Sequence, residues 1–556
     1  MSSISFPKLL FIGFITLLFL FRIIVFAGMY GGVEHDSGWF MGVAKNLALH
    51  GIYASYTNPV THEGAGAFPS IHRRYSVQDK NGFVYFPAAL TVGPGYVIPE
   101  AMILKLFGSG WWQYRMWPLL GFTLMLFLTL FVVWRIGGML PLLFFSVWLW
   151  IIPQFTTQFA YESFSEDIAF LYLLAGYFLL YVVKRNKWSV PLSFLAGIFI
   201  GLSYLTKIVF VIPLTGVIAF VVWDFYHHWQ DKKYLLRKWF VFIAGLIIPI
   251  LLFYFYEYMY VMVHFGIDAW HAVQEDNRLL FINDGSGLNF AQFIKGLDPV
   301  FLYLKFNIWV DVGINFPIML WTMFLLSPFV FMRLLKTREK IFCSALYIAS
   351  FLTLIWYMFF STGMARHAWP GLIIGMMIIS ICIGLIHQHL RSEMKQVFWI
   401  LLLSLCLIFI NYPALSFMPV MPETTISTWE SVRTVRGLNG FPSNDILSLK
   451  DQQQVIDYFA LNIKPVDRIY YLQGFLNAEI SPLVDKVFYP MERYVNLKQT
   501  NPSGGKSFII IGPYQQGRWA RQLPTYIPSV KKLICQKIEL ENPSYTLCEI
   551  KPLAVK

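Results

Sequence analysis

The stretch LLFIGFITLLFLFRIIVFA, Leu9 to Ala27, carries one charge, Arg22, in nineteen residues. A helix needs roughly 20 predominantly apolar residues to cross about 30 Å of hydrocarbon, so this segment reads as a first transmembrane helix. It is longer than the apolar core of a secretory signal, has little positive charge before it, and is followed at Ala27-Gly28-Met29 by no clean small-residue cleavage site. A retained helix is therefore expected. Ten more apolar stretches follow, near 113–134, 138–157, 166–183, 189–206, 208–225, 239–263, 314–332, 341–360, 369–386 and 396–412. The expected fold is a polytopic α-helical membrane protein of about 11 transmembrane helices.

The links between these stretches orient them. With residue 1 inside, the inner links carry Arg135, Lys184 to Lys187, Asp231 to Lys238, Arg333 to Lys340 and Arg391 to Lys395. Basic residues concentrate on the cytoplasmic side of membrane proteins, and one orientation satisfies all five links. The segment Phe83 to Phe107 is apolar but interrupted by Pro87, Pro94, Gly95 and Pro99, and it carries Glu100 and Lys105. Counting it as a crossing would invert everything after it. It reads instead as a helix lying on, or re-entering, the outer leaflet, because broken backbone survives at membrane depth only where protein or water covers it.

Composition supports the same class. A chain that is 57% hydrophobic and 13% charged is too apolar for an ordinary water-soluble globule. The net charge of +12 lies largely in short links beside apolar spans, where headgroups and orientation account for it, so nucleic acid is not an expected partner. Three outer regions follow: a first loop at 29–112 with juxtamembrane helices, a later loop at 264–312, and a tail at 413–556, leaving 1–412 as the transmembrane domain. The tail has short β-branched and aromatic runs at Arg468 to Leu472 and Ser507 to Gly512, and helical spacing over Asp451 to Leu461, which predicts a small extracytoplasmic α/β domain. Lys532 to Cys535 and Leu547 to Ile550 are candidate hairpin strands. An oxidising compartment would permit a Cys535–Cys548 disulfide, with two unpaired thiols the alternative. No fixed-period repeat and no metal-ligand spacing of cysteines is present.

The polar residues with chemical potential all fall on the outer side. Glu34-His35-Asp36-Ser37-Gly38-Trp39-Phe40 follows the first span, and a helical stretch, Met41 to His50, comes next. A carboxylate there is partly desolvated near headgroups and can serve as a base, or it can simply solvate a helix end. Tyr161-Glu162 precedes Glu166-Asp167 at the start of the fourth span, where acids also suit a helix N-terminus. Arg366-His367 is an outward basic pair against the inward trend, fit for phosphate or for a snorkelling role. Lys207 between two spans and the His72-Arg73-Arg74 cluster are further cations, the cluster equally readable as headgroup contacts. His264, Asp268, His271, Glu275, Asp276 and Arg278 read as a solvated loop, and Trp111-Trp112 as interfacial anchors. Glu257 inside a span is costly in hydrocarbon and is a candidate on that ground, an interior hydrogen bond being the alternative.

Several of these residues, in order, resemble the GT-C glycosyltransferases, the group that includes protein O-mannosyltransferases and the lipid A aminoarabinose transferase. Asp36, Phe40, Ala44 and Gly51 are similar to its first-loop signature, although Ser37 stands where members often have a second acid. Tyr85-Phe86-Pro87-Ala88-Ala89-Leu90, Leu106-Phe107-Gly108 to Arg115, Glu162, Thr206-Lys207 and Arg366-His367-Ala368-Trp369-Pro370 continue the likeness over about 370 residues. The resemblance implies a multi-pass enzyme that takes a monosaccharide from a polyprenyl phosphate and gives it, with inversion, to a hydroxyl of a lipid, glycan or protein. On that basis Asp36 and Glu162 are the candidate catalytic residues, and Arg366, His367, Lys207, Arg73, Arg74 and His72 the candidate phosphate-binding ones. No cofactor is implied, although Asp36 and a second acid could share a divalent cation. The expected location is a bacterial inner (plasma) membrane, with the site and the tail facing the periplasm or exterior. The rival reading is a flippase or transporter of lipid-linked sugars, which would need polar groups at mid-membrane from several helices.

Overall fold

The structure is a computed structural model, and it describes residues 6–30, 35–55, 77–78, 84–87, 93–151, 160, 165–183, 188–271, 274–275, 293–294, 297–306, 317–361, 365–390, 392–410, 449–471, 480, 483–484, 488–490, 504–511, 534–538 and 545–549. The first helix, α1 (Phe6–Tyr30), is followed by α2 (His35–His50), α3 (Pro94–Phe107), α4 (Trp111–Gly137), α5 (Met139–Ile151), α6 (Glu166–Val182) and α7 (Ser189–Thr206). Then come α8 (Val217–His228), α9 (Lys232–Phe265), α10 (Pro299–Phe306), α11 (Pro317–Leu334), α12 (Thr337–Phe359), α13 (Ala365–His389), α14 (Glu393–Ile410) and α15 (Leu449–Asn462). Seven stretches among the described residues are long and apolar enough to cross a bilayer. Their outward faces are aliphatic and aromatic: Leu10, Phe14, Leu17 and Phe21 form an exposed stripe at helical spacing on α1, the pattern of a lipid-facing surface. By contrast α13 is almost wholly enclosed and forms the centre of the bundle.

Contacts between helix ends establish that successive spans alternate in direction. At one end the Lys8 amine lies 6.0 Å over the Trp134 ring, Gln388 donates to the Gly137 carbonyl at 2.7 Å, and Arg338 donates to the Val183 carbonyl at 3.2 Å. Lys238 pairs with Asp224 at the same end of α8 and α9. At the other end the Arg22 guanidinium sits 4.6 Å over the Trp150 ring, and Phe170 meets Trp369 edge to face at 5.6 Å. Lys8, Arg338 and Lys238 thus lie at one end of the bundle, and Arg22 with the starts of α6 and α13 at the other.

Two elements differ from the expected ones. The sixth stretch does not begin as an α-helix: 208–216 is two 3-10 turns, Ile208–Val211 and Pro213–Gly216, before α8. Pro213 lacks an N–H, and the Tyr177 hydroxyl donates to its carbonyl, so the chain tightens where a regular ladder is blocked. Within Phe83 to Phe107 the chain forms a short strand, β3 (Val84–Pro87), paired with β1 (Ala54–Ser55) and β2 (Val77–Gln78), and then α3. The 14 residues of α3 span about 21 Å, too short to cross. Ile98, Met102 and Leu106 are exposed along one side while Tyr96, Val97, Glu100, Ala101 and Leu104 are buried, as suits a helix lying against a membrane surface.

The start of α3 fits only without side chains. A Cβ at Gly93 would overlap the Thr206 carbonyl, and one at Gly95 would meet the Thr206 hydroxyl and lie 2.9 Å from the Leu202 carbonyl. Gly93→Ala should therefore force α3 off α7, at about 1–3 kcal/mol, and shift Lys207 next to it. A thermal unfolding midpoint equal to that of the unsubstituted protein would contradict this packing.

In the tail, five strands order β5-β4-β6-β8-β7: β4 (Arg468–Tyr471) is parallel to β5 (Phe488–Pro490) and β6 (Ser507–Ile511), and β8 (Tyr545–Glu549) is antiparallel to β6 and β7 (Ile534–Ile538). Val455 and Phe459 of α15 and Ile463 just after it share a buried cluster with Ile469, Phe508 and Leu547. Cys535 and Cys548 are register partners across β7 and β8. The Trp111 indole N–H donates to Gln453 of α15 at 2.6 Å. With the Lys45 amine donating to the Val484 carbonyl at 3.3 Å, this seats the tail at the helix ends that hold the candidate site.

Candidate functional site

Asp36 lies in the first turn of α2, which begins six residues earlier than the expected Met41. Its backbone is placed and its side chain lies outside the description. A carboxylate in a first turn faces the positive end of the helix dipole. Residues one turn apart share a face of a helix, so the surroundings of Phe40 mark the face of Asp36. Phe40 is buried, meets Tyr96 edge to face at 5.5 Å, and carries the Lys207 amine 5.6 Å from its ring centroid. A cation is thus held one turn from Asp36.

The local backbone explains how Lys207 reaches that point. α7 ends at Thr206, Lys207 adopts an extended φ of −151°, and the 3-10 turns follow, so the side chain leaves sideways. Its amine lies 3.0 Å from Glu166 Oε1, with the Glu166 side chain 3% exposed and that of Lys207 17% exposed. Glu166 and the fully buried Asp167 open α6, preceded by Ser165 at φ +68°, a left-handed conformation costly for a residue with a Cβ. Strain of this kind persists where the surroundings demand it. In the first turn of α6 that follows, Glu166 reaches Lys207 and Ile168 packs in one buried cluster with Phe40, Tyr96 and Leu205 of α2, α3 and α7. Glu162 lies outside the described residues, as do His72, Arg73 and Arg74; Glu166 and Asp167 are the described acids of its segment.

Arg366 lies in the first turn of α13 and is placed by its backbone, while His367 is described in full. His367 Nδ1 is 2.8 Å from the Ser361 hydroxyl, and its ring lies 5.7 Å from that of Trp356. The buried Ser361 also receives, at its carbonyl, a 2.7 Å hydrogen bond from the Lys305 amine, which donates to the Met358 carbonyl at 3.1 Å as well. Lys305 belongs to α10 in the later outer loop. Burial pulls its pKa down from 10.5 to about 8.

Helix α6 ties the two groups together. Phe170, one turn beyond Glu166, meets Trp369, two residues beyond His367, and Tyr172 donates to the Gly95 carbonyl at 3.4 Å. Asp36, Glu166, Lys207, Arg366 and His367 are therefore carried on four adjoining elements at one end of the bundle. Glu257 is buried in α9 about 12 Å before that helix ends, beside Phe253, which contacts Tyr53 at 5.2 Å, so it sits toward this end. Among the described residues no group of three or more His, Cys, Asp or Glu side chains is arranged to hold a metal ion. Glu166, Lys305 and Ser361 were the site residues hardest to single out beforehand. The acid triplet at 162–167 signalled the first, but nothing in the sequence connects the other two to position 367.

No protein-family model and no curated relative matches the sequence. Solved structures do. ArnT from Cupriavidus metallidurans bound to undecaprenyl phosphate superposes with a TM-score of 0.56 at 11% identity, covering 99% of each chain. ArnT from the same organism in the apo state gives a TM-score of 0.52 at 10% identity, covering 98% of each chain. The Archaeoglobus fulgidus oligosaccharyltransferase in complex with Zn and sulfate gives 0.50 at 11% identity, over 96% of this chain and 72% of that one. These are GT-C glycosyltransferases. A likeness over the whole chain at such low identity is a likeness of architecture, and the chain has the GT-C fold.

Proposed function

We propose that the protein is a membrane glycosyltransferase that moves a monosaccharide from a polyprenyl phosphate to an acceptor hydroxyl of a lipid, glycan or protein. The observation that carries this reading is the placement of the Lys207–Glu166 pair on the Asp36 face of α2, at the end of the bundle where Arg366 and His367 begin α13. In this scheme the Asp36 carboxylate takes the acceptor proton as the acceptor oxygen bonds to the anomeric carbon. The bond from that carbon to the phosphate oxygen breaks, its electron pair goes to the phosphate, and polyprenyl phosphate leaves. Attack from the side opposite the phosphate inverts the anomeric centre. Arg366, His367 and Lys207, with the His72-Arg73-Arg74 cluster, supply positive charge to the leaving phosphate, the arginines in bidentate fashion. Glu162 or Glu166 orients the acceptor or the cations. No resident metal is needed for these steps.

In this reading the basic links face the cytoplasm, and eleven crossings would leave the site and an α/β tail domain outside, at the periplasmic face of an inner membrane; the support is the concentration of basic residues in alternate links. The position of Glu257 toward the outer end favours the enzyme over a flippase, which would need charge near mid-membrane. Purified protein in vesicles with a panel of radiolabelled polyprenyl-phosphate monosaccharides should release the sugar to acceptor or water and leave polyprenyl phosphate. Arg366→Ala should weaken capture of the donor at least about tenfold, the loss of one charge-assisted phosphate contact. Movement of intact donor between leaflets without cleavage would overturn the enzyme reading in favour of the flippase.

A further inference from the structure

The Lys305 amine is buried and donates to two main-chain carbonyls, those of Met358 and Ser361. Both carbonyls lie at the end of α12 or just past it, where the last C=O groups of a helix lack intrahelical donors and the dipole is negative. A cation there caps the helix. Its effect reaches further, because the residue it grips by the carbonyl, Ser361, uses its hydroxyl on His367 Nδ1 at 2.8 Å.

The helix that delivers Lys305 is itself well anchored. The Asp298 carboxylate accepts from the Val300 N–H at 2.8 Å at the start of α10. At its other end the Phe306 ring stacks on Trp321 with centroids 5.9 Å apart, and the Trp321 indole N–H donates to the Phe306 carbonyl at 3.2 Å. Earlier in the same loop Phe293 stacks on Phe360 at 5.3 Å. Described parts of the later outer loop thus meet the end of α12 at Phe360 through Phe293, and at Met358 and Ser361 through Lys305.

We infer that Lys305 is a positioning residue for donor binding, acting through Ser361 to hold the His367 imidazole and the first turn of α13 in place; this rests on the proposed role of Arg366 and His367 toward the donor phosphate. Where the Ser361 hydroxyl donates to Nδ1, the neutral ring carries its proton on Nε2, on the side of the imidazole turned away from Ser361. Loss of Lys305 frees Ser361 and lets the ring change tautomer and rotamer. The proton on Nε2 is then no longer fixed, and the neighbouring arginine loses its rigid mount.

The test uses the full chain in detergent or nanodiscs, with Lys305→Met, Lys305→Arg, Ser361→Ala and the double variant Lys305→Met/Ser361→Ala. Two readouts are taken: affinity for undecaprenyl phosphate, and the rate of carbethoxylation of His367 by diethyl pyrocarbonate, followed by peptide mass spectrometry. Lys305→Met and Ser361→Ala should each speed modification of His367 several-fold and weaken undecaprenyl phosphate binding about tenfold. The double variant should be no worse than the stronger single one, since both act along one route, and Lys305→Arg should restore most of the wild-type behaviour. Unchanged His367 reactivity in Lys305→Met, or strictly additive losses in the double variant, would overturn the inference. Failure of the unsubstituted protein to bind undecaprenyl phosphate would overturn the donor reading instead, and the reactivity of His367 would still decide the part played by Lys305. A general loss of fold in Lys305→Met would show as increased modification of every histidine. In that case the Ser361→Ala variant, which removes only one hydroxyl, decides.

Discussion

Asp36→Asn is expected to lower sugar transfer by about 10²–10⁴-fold, the contribution of a positioned general base, while leaving affinity for polyprenyl phosphate within about twofold. The amide keeps the size and the hydrogen-bonding reach of the carboxylate but cannot take the acceptor proton. The variant should fold normally, because the amide keeps the shape of the carboxylate and a residue in the first turn of α2 gives up chiefly the helix-dipole benefit of its charge, about 0.3–1 kcal/mol. Single-turnover measurement with preloaded donor separates chemistry from binding. A rate equal to that of the unsubstituted protein would remove Asp36 from the mechanism and return it to the role of a helix-end acid.

The second large effect concerns the Lys207–Glu166 pair. Removing one partner of a buried pair strands the other charge, at about 3–5 kcal/mol, and the 17% exposure of Lys207 puts this pair toward the lower end. Lys207→Met should therefore lower the thermal unfolding midpoint markedly. Lys207→Met/Glu166→Gln, which removes both charges, should regain most of that stability. Activity should behave differently. The double variant has a sound fold but no cation over Phe40 beside Asp36, so transfer should stay impaired in both. A double variant as active as the unsubstituted protein would make the pair a structural staple of α6 and α7 and nothing more.

Much of this architecture was legible in the sequence because the bilayer imposes length and polarity rules that short-range patterns report directly. The stretches at 166–183 and 189–206 coincide with α6 and α7 almost to the residue, since Glu166-Asp167 and the boundary at Lys207 mark their ends. The sixth stretch was misjudged because hydropathy is blind to hydrogen bonding: Ile208 to Gly216 is as apolar as a helix, yet Pro213 and the Tyr177 hydroxyl divert its backbone. Likewise the apolar run up to Phe107 hides a strand, β3, since Val84 to Pro87 suits a pleated pair as well as a membrane surface.

The site was only half visible. Asp36, Phe40, Lys207 and His367 drew notice through their types and order. Glu166 is marked by its type too, but its pairing with Lys207 across 41 positions of chain is not, nor is that of Lys305 with Ser361 across 56. Such pairings follow from how α6 packs on α7 and how α10 lies on α12, which no local pattern encodes. Trp111 shows the same limit. Its place at a span end suggests a headgroup anchor but gives no sign that its indole N–H donates to Gln453, more than 300 residues away.

Cryo-electron microscopy of the full chain in nanodiscs with undecaprenyl phosphate tests the whole scheme most directly. The account predicts lipid phosphate density against Arg366 and His367, with the Lys207 amine and the Asp36 carboxylate lining the same cavity. Phosphate bound at the basic end of the bundle, or Asp36 and Arg366 walled off from each other by packed side chains, would contradict it.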